Sequence, residues 1–154
     1  MLRSLALLLF VVSGSALAAA QPPLDLHQPT AQVKAQIDKI NADLAGGEVY
    51  SEISMDDRSQ VREALTRITS RIDRNGEGTL PSQQEATTMN DQELVNTILT
   101  KAREDSRLVC IREKTIGSHR VTSNCMTVAQ RRRAQADSQE RMIKMQRTGH
   151  GELL

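Results

Sequence analysis

Two cysteines and the glycine between them constrain this chain more than any other feature. Cys110 and Cys125 flank the run Ile-Arg-Glu-Lys-Thr-Ile-Gly-Ser-His-Arg-Val-Thr-Ser-Asn. If Gly117-Ser118 is the two-residue turn of a hairpin, glycine at the first central position can take the positive φ of a type II′ turn without a Cβ clash. Paired positions then sum to 235, which sets Cys110 directly opposite Cys125. Opposite residues of antiparallel strands lie roughly 4.5–5.5 Å apart at Cα, within disulfide reach. Turn chemistry and cysteine spacing therefore specify the same register. The same pairing sets Val109 against Met126 and puts Ile111 on their face, an apolar patch at the hairpin base below a polar tip of Glu113, Lys114, His119 and Arg120. A bond closing a loop of this length contributes about 3 kcal/mol, mainly by restricting the unfolded chain.

The residues around the hairpin carry a resemblance. Asn90-Asp91-Gln92-Glu93-Leu94-Val95-Asn96-Thr97-Ile98-Leu99-Thr100, Asp105-Ser106-Arg107 and Cys110 open the pattern. Arg112-Glu113-Lys114, Gly117-Ser118-His119-Arg120 and Cys125-Met126-Thr127-Val128-Ala129 complete it. In these segments, about a third of the chain, the sequence resembles an uncharacterised family of small exported proteobacterial proteins. The resemblance implies export and shape, and no chemistry.

The address is also written at the start. Met1-Leu2-Arg3-Ser4 precedes an apolar run from Leu5 to Val12 and the small-residue stretch that ends at Ala20. A positive start, a short apolar core and an Ala-x-Ala pattern make residues 1–20 a secretory signal peptide, with cleavage near Ala20. The apolar run is too short to anchor in a bilayer. The expected product is periplasmic or secreted, without a membrane span, in a compartment where a disulfide persists.

Cleavage takes away Phe10 and leaves Tyr50 as the only aromatic side chain. Aromatics supply much of a core's buried area, so a loosely packed helical protein is expected rather than a dense globule. Residues 21–29, with three prolines, read as an extended lead-in. From Thr30 as cap, Val33, Ile37, Ile40 and Leu44 recur on one stripe until Gly46-Gly47. Ser54 opens a second stripe of Val61, Leu65, Ile68 and Ile72, so residues 30–76 form an antiparallel helical hairpin with Tyr50 and Ile53 tucked beneath. Residues 77–89 read as a polar linker. Asn90 is the expected cap of a third helix, with Glu93 reaching back and Leu94, Val95, Ile98, Leu99 and Ala102 forming the face on which the hairpin should pack. Thr127 and Gln130 form a capping box for a last, basic helix to Arg147, ahead of a frayed tail at 148–154. The fold expected is mainly α: a helical hairpin plus a helix–β-hairpin–helix unit over residues 90–147, closed by one disulfide.

Charge is divided along the chain. Residues 21–106 hold 9 basic and 15 acidic side chains, net −6, and residues 107–154 hold 10 and 4, net +6. The halves can attract each other, or the basic half can face an anionic partner. Arg131, Arg132 and Arg133 oppose the dipole at a helix start, so helix stability does not account for them. With Arg141, Lys144 and Arg147 they are the candidate binding face.

No nucleophile elbow, phosphate loop, zinc-helix motif or dinucleotide fingerprint is present, and no cofactor is implied. His27, His119 and His150 are scattered. Ser118-His119 is explained by the turn, since neighbours on a hairpin point to opposite faces. The run after Asp73 offers Asp73, Asn75 and Glu77 at the first, third and fifth positions of a calcium loop. Gln84 stands where a bidentate glutamate is needed, and Pro81 disturbs the loop. These three remain weak metal candidates beside the reading of a capped helix end.

The sequence thus points to an exported, non-enzymatic interaction or structural module, with an envelope protein or an anionic surface as the candidate partner. The alternatives are polyanion or envelope-surface binding through the basic helix and, behind it, calcium binding. Nucleic acid is disfavoured by export, by the missing stacking aromatics and by a net charge of zero after cleavage.

Overall fold

The computed structural model describes residues 22–75, 82–114, 116, 117 and 120–149. Residues 1–20, where a signal peptide is expected, and Glu77, Ser118, His119 and His150 lie outside the described residues.

The stripe Val33, Ile37, Ile40 and Leu44 is the buried side of α1, Thr30–Gly46. Its cap is Pro29 and not Thr30: the Pro29 carbonyl accepts from the amides of Gln32 and Val33, and no side chain caps the first turn. Thr30 is already helical, so its hydroxyl cannot serve as cap. Gly47 ends the helix with φ +72°, its N–H returning to the Asp43 carbonyl at 3.3 Å. That left-handed conformation is the one glycine adopts without strain.

Ser54 caps α2, Met55–Asn75, accepting from the Asp57 amide at 3.0 Å. Asp56 and Asp57 in the first turn and Arg74 in the last complement the helix dipole. Val61, Ala64, Leu65 and Ile68 are buried, Ile72 partly so, and Tyr50 from the connecting loop is buried beneath the helices.

The third helix differs from expectation at its start. α3 spans Ser82–Ser106, so residues 82–89 are helix and not linker, and Asn90 is an exposed mid-helix residue. The apolar pattern that betrays a helix is missing from 82–89, but tertiary polar contacts replace it. The Thr88 hydroxyl donates to the Gln84 carbonyl at 2.6 Å and accepts from Arg71 of α2. One turn on, buried Asp91 takes Arg67 and Arg71 at 2.7 Å each. Val95, Leu99 and Ala102 complete the core with α1 and α2.

The lead-in belongs to this core. Leu24 is fully buried, held by a reciprocal pair in which its N–H donates to Asn96 Oδ1 and its carbonyl accepts from Asn96 Nδ2. Gln92 and Gln36 accept from the amides of Leu26 and Asp25. Three side-chain amides thus satisfy a stretch of chain that has no ladder or helix of its own.

β1, Leu108–Lys114, pairs antiparallel with β2, Val121–Thr127, in the expected register: Cys110 opposite Cys125 and Val109 opposite Met126. The cysteines form a disulfide, their Cα atoms 4.0 Å apart, and Gly117 has φ +82°. Among the described residues the hairpin makes no substantial packing on α3, whose apolar face lies in the helical core; its strands are mostly exposed, and its neighbour is the last helix, α4, Val128–Gly149. The expected class holds: mainly helical, with one disulfide-closed hairpin. The architecture is a three-helix body carrying an arm made of the hairpin and α4.

Candidate functional site: the hairpin–α4 arm

Among the described residues the arm meets the body where α3 runs into β1 and β2 becomes α4. Thr127 and Gln130 close the expected capping box: the Thr127 amide donates to Gln130 Oε1 at 3.1 Å, and the Gln130 amide to Thr127 Oγ1 at 3.0 Å. The buried Thr127 hydroxyl donates in turn to Glu52 Oε1 at 2.7 Å, and Arg133 reaches the other Glu52 oxygen at 2.8 Å. Ser106 receives the Glu52 amide on its hydroxyl, Val128 N–H donates to the Arg107 carbonyl, and Arg132 pairs with Asp105. Donation from Thr127, then from Arg133, holds the Glu52 carboxyl below its ordinary range. A carboxylate serving both a buried hydroxyl and a guanidinium fixes direction as well as attachment.

These contacts redistribute the candidate binding face. Successive helix residues are about 100° apart, so Arg131, Arg132 and Arg133 point three ways and are not one surface. Arg132 and Arg133 are the body's clamps, pairing with Asp105 and Glu52 of the acidic half. The attraction between the halves is thus physical and local. Arg141 and Lys144 line a shallow depression with Asp137 and Glu140, and Arg147 is exposed in the last turn.

Arg131 goes elsewhere. One face of the hairpin, carrying Ile111, Glu113, Asn124 and Met126, looks across a groove of about 540 Å³ at α4. Arg131, Ala134, Gln135, Ser138 and Gln139 form the helix wall. The strand residues alternate, as one face of a pleated ribbon must, and the helix residues recur at three- and four-residue steps. The disulfide lies on the opposite face of the ribbon. Arg131 Nε is shut off from water without an acceptor, and the side chain has no hydrogen bond or ion pair among the described residues.

Past the groove α4 continues with its side chains exposed, including Met142, Ile143 and Met145 at 57, 50 and 65%. Met142 follows Arg131 by three helical turns and so extends the groove side of the helix. No helix among the described residues is long and apolar enough to cross a membrane.

The calcium candidates separate. Asp73 is on α2 and bonds Lys34 at 2.7 Å. Asn75 is the last residue of α2 and donates to the Arg71 carbonyl. Both are helical where a calcium loop needs a turn. Among the described residues no group of three or more His, Cys, Asp or Glu side chains could hold a metal ion. Glu52, Asp105 and Asn124, which build the clamp and the groove, carry no local pattern that reveals their roles. The pairing of Ile111 with the Met126 face is the one part visible from hairpin periodicity.

Comparison with family models, with curated proteins and with solved structures gives no match.

Proposed function

We propose that this chain is an exported interaction module of the bacterial envelope, without catalytic function, whose arm engages a partner protein. The observation that carries the reading is the state of α4. Its base is clamped to the body by Glu52, Asp105 and a capping box. Beyond that, Met142 and Ile143 stand 57 and 50% exposed on the helix. Neighbouring exposed apolar side chains on a helix anchored in this way mark an interaction site more often than isolated exposed residues do.

The disulfide and the leader at 1–20 support a periplasmic or secreted setting after cleavage near Ala20, as does the resemblance to exported proteobacterial proteins. Polyanion binding is the weaker reading, because Arg132 and Arg133 are neutralised by Asp105 and Glu52. The test is chemical cross-linking of the tagged protein in cells, followed by mass spectrometry. A recurrent envelope protein that is lost from the Met142→Glu/Ile143→Glu double variant is expected. No recurrent species, or the same species from the double variant, would overturn the reading.

A further inference from the structure

We propose that the groove between the hairpin and α4 binds an acidic, apolar segment of a partner protein, with a partner carboxylate on Arg131 and a neighbouring aliphatic side chain on Ile111, Met126 and Ala134. This rests on the reading of the arm as an interaction surface and names the chemistry it selects.

Arg131 is the first ground. Its Nε is removed from water yet has no acceptor, and no carboxylate among the described residues pairs with its guanidinium. A desolvated donor on a permanently charged group is costly to leave unmade, and the two arginines that follow it are both paired. The groove therefore holds a cation that no acid among the described residues pairs with. Glu113 stands in the same groove without closing that pair, so the incoming carboxylate belongs on the α4 side, where the Asn124 amide across the groove can supply a further donor.

The walls supply the second ground. Ile111 is 38% exposed, and with Met126 and Ala134 it gives the groove an apolar floor beside the cation. At about 540 Å³ the groove lies within the range of concave sites that bury a ligand's side chains. A concave site with one directed cation fits a segment of chain, whereas a bilayer surface is flat and would meet the outward-facing basic residues. Charge agrees: residues 107–154 hold 10 basic against 4 acidic side chains, which favours encounter with an acidic partner.

The experiment is selection of a random displayed peptide library on the full chain with its disulfide formed. Selected peptides are then titrated by fluorescence polarisation against Arg131→Gln, Ile111→Glu and Arg141→Gln proteins whose melting curves match the parent. The selected peptides should combine Asp or Glu with Leu, Ile or Met. Loss of one charge-assisted pair should weaken binding roughly tenfold or more in Arg131→Gln. Ile111→Glu should abolish it. Arg141→Gln removes the same charge outside the groove and should change affinity less than about twofold, as expected for an exposed rim charge.

Neutral or basic selected peptides, an empty selection, or equal losses in Arg131→Gln and Arg141→Gln would overturn the proposal. So would binding to vesicles containing phosphatidylglycerol that depends on Arg131. An empty selection alongside a partner cross-linked to the arm would remove the groove assignment and leave the interaction module standing. Absence of any cross-linked partner would remove the module reading itself.

Discussion

Replacing Asp91 by asparagine keeps the shape of the side chain and removes the charge on which α2 and α3 converge. Asp91 is buried, and its two oxygens take Arg67 and Arg71 at 2.7 Å each, with Arg71 also donating to Thr88. Removing one member of a buried pair costs about 3–5 kcal/mol. The two arginines do not share that cost equally. The Arg71 side chain is 16% exposed and is stranded, whereas Arg67 is 45% exposed and turns to water; an exposed pair is worth about 0–1 kcal/mol. The expected net loss is therefore about 2–4 kcal/mol, or about 6–16 °C in melting temperature for a domain of this size. Thermal and urea unfolding of the oxidised protein, followed by far-UV circular dichroism, measure it.

The penalty should depend on pH in a defined sense. Burial pushes the Asp91 carboxyl up, but hydrogen bonds from Arg67 and then Arg71 outweigh burial and hold it below its ordinary value of 3.8. A carboxyl lowered by folding contributes fully above its unfolded value, and the contribution is lost as pH falls through the folded value. The difference between parent and Asp91→Asn should thus be complete at neutral pH and shrink as pH drops below about 4. A penalty under about 0.5 kcal/mol, in the range of neutral surface substitutions, or one that grows on acidification, would refute the assignment.

Two further predictions concern the arm. Glu52→Ala removes the acceptor of the buried Thr127 hydroxyl and of Arg133. It should cost about 2 kcal/mol, the size of one charge-assisted bond. Because the loss falls at the clamp, amide hydrogen exchange should accelerate over the first turn of α4 and the end of β2; unchanged exchange there would show that Glu52 does not hold the arm. Cys110→Ser should destabilise the hairpin by about 3 kcal/mol. With β1 and β2 mostly outside the core, that loss should appear as faster exchange in the strands, and the main melting transition of the three helices should move far less. A main transition shifted by the whole amount would mean that hairpin and body unfold as one unit.

What could be read from the sequence was local. The hairpin register follows from Gly117 and the two cysteines because a two-residue turn leaves one pairing. The stripes of α1 and α2 show because apolar residues recur at helical spacing, and the caps at Ser54 and Thr127 show because both partners lie within one turn. What escaped was tertiary. The first two turns of α3 carry no apolar signal, and their company is Arg71, far upstream. Leu24 reads as part of a proline-rich lead-in, yet Asn96 draws it into the core across a separation of 72 residues. The arginine run looks like one basic patch until helical spacing divides it and Asp105 and Glu52 take two of its members. Arg131 emerges as the groove's cation only after those two pairs are recognised.

The most direct measurement places a photo-reactive phenylalanine analogue singly at Met142, at Ile143 and at Lys39, an exposed position on α1. Each protein is irradiated in intact cells and its adducts are resolved by size and mass. One discrete protein adduct is expected from Met142 or Ile143 and none from Lys39. Adducts of equal yield from all three positions, or from Lys39 alone, would contradict the claim that the arm is the part of this protein that meets its partner.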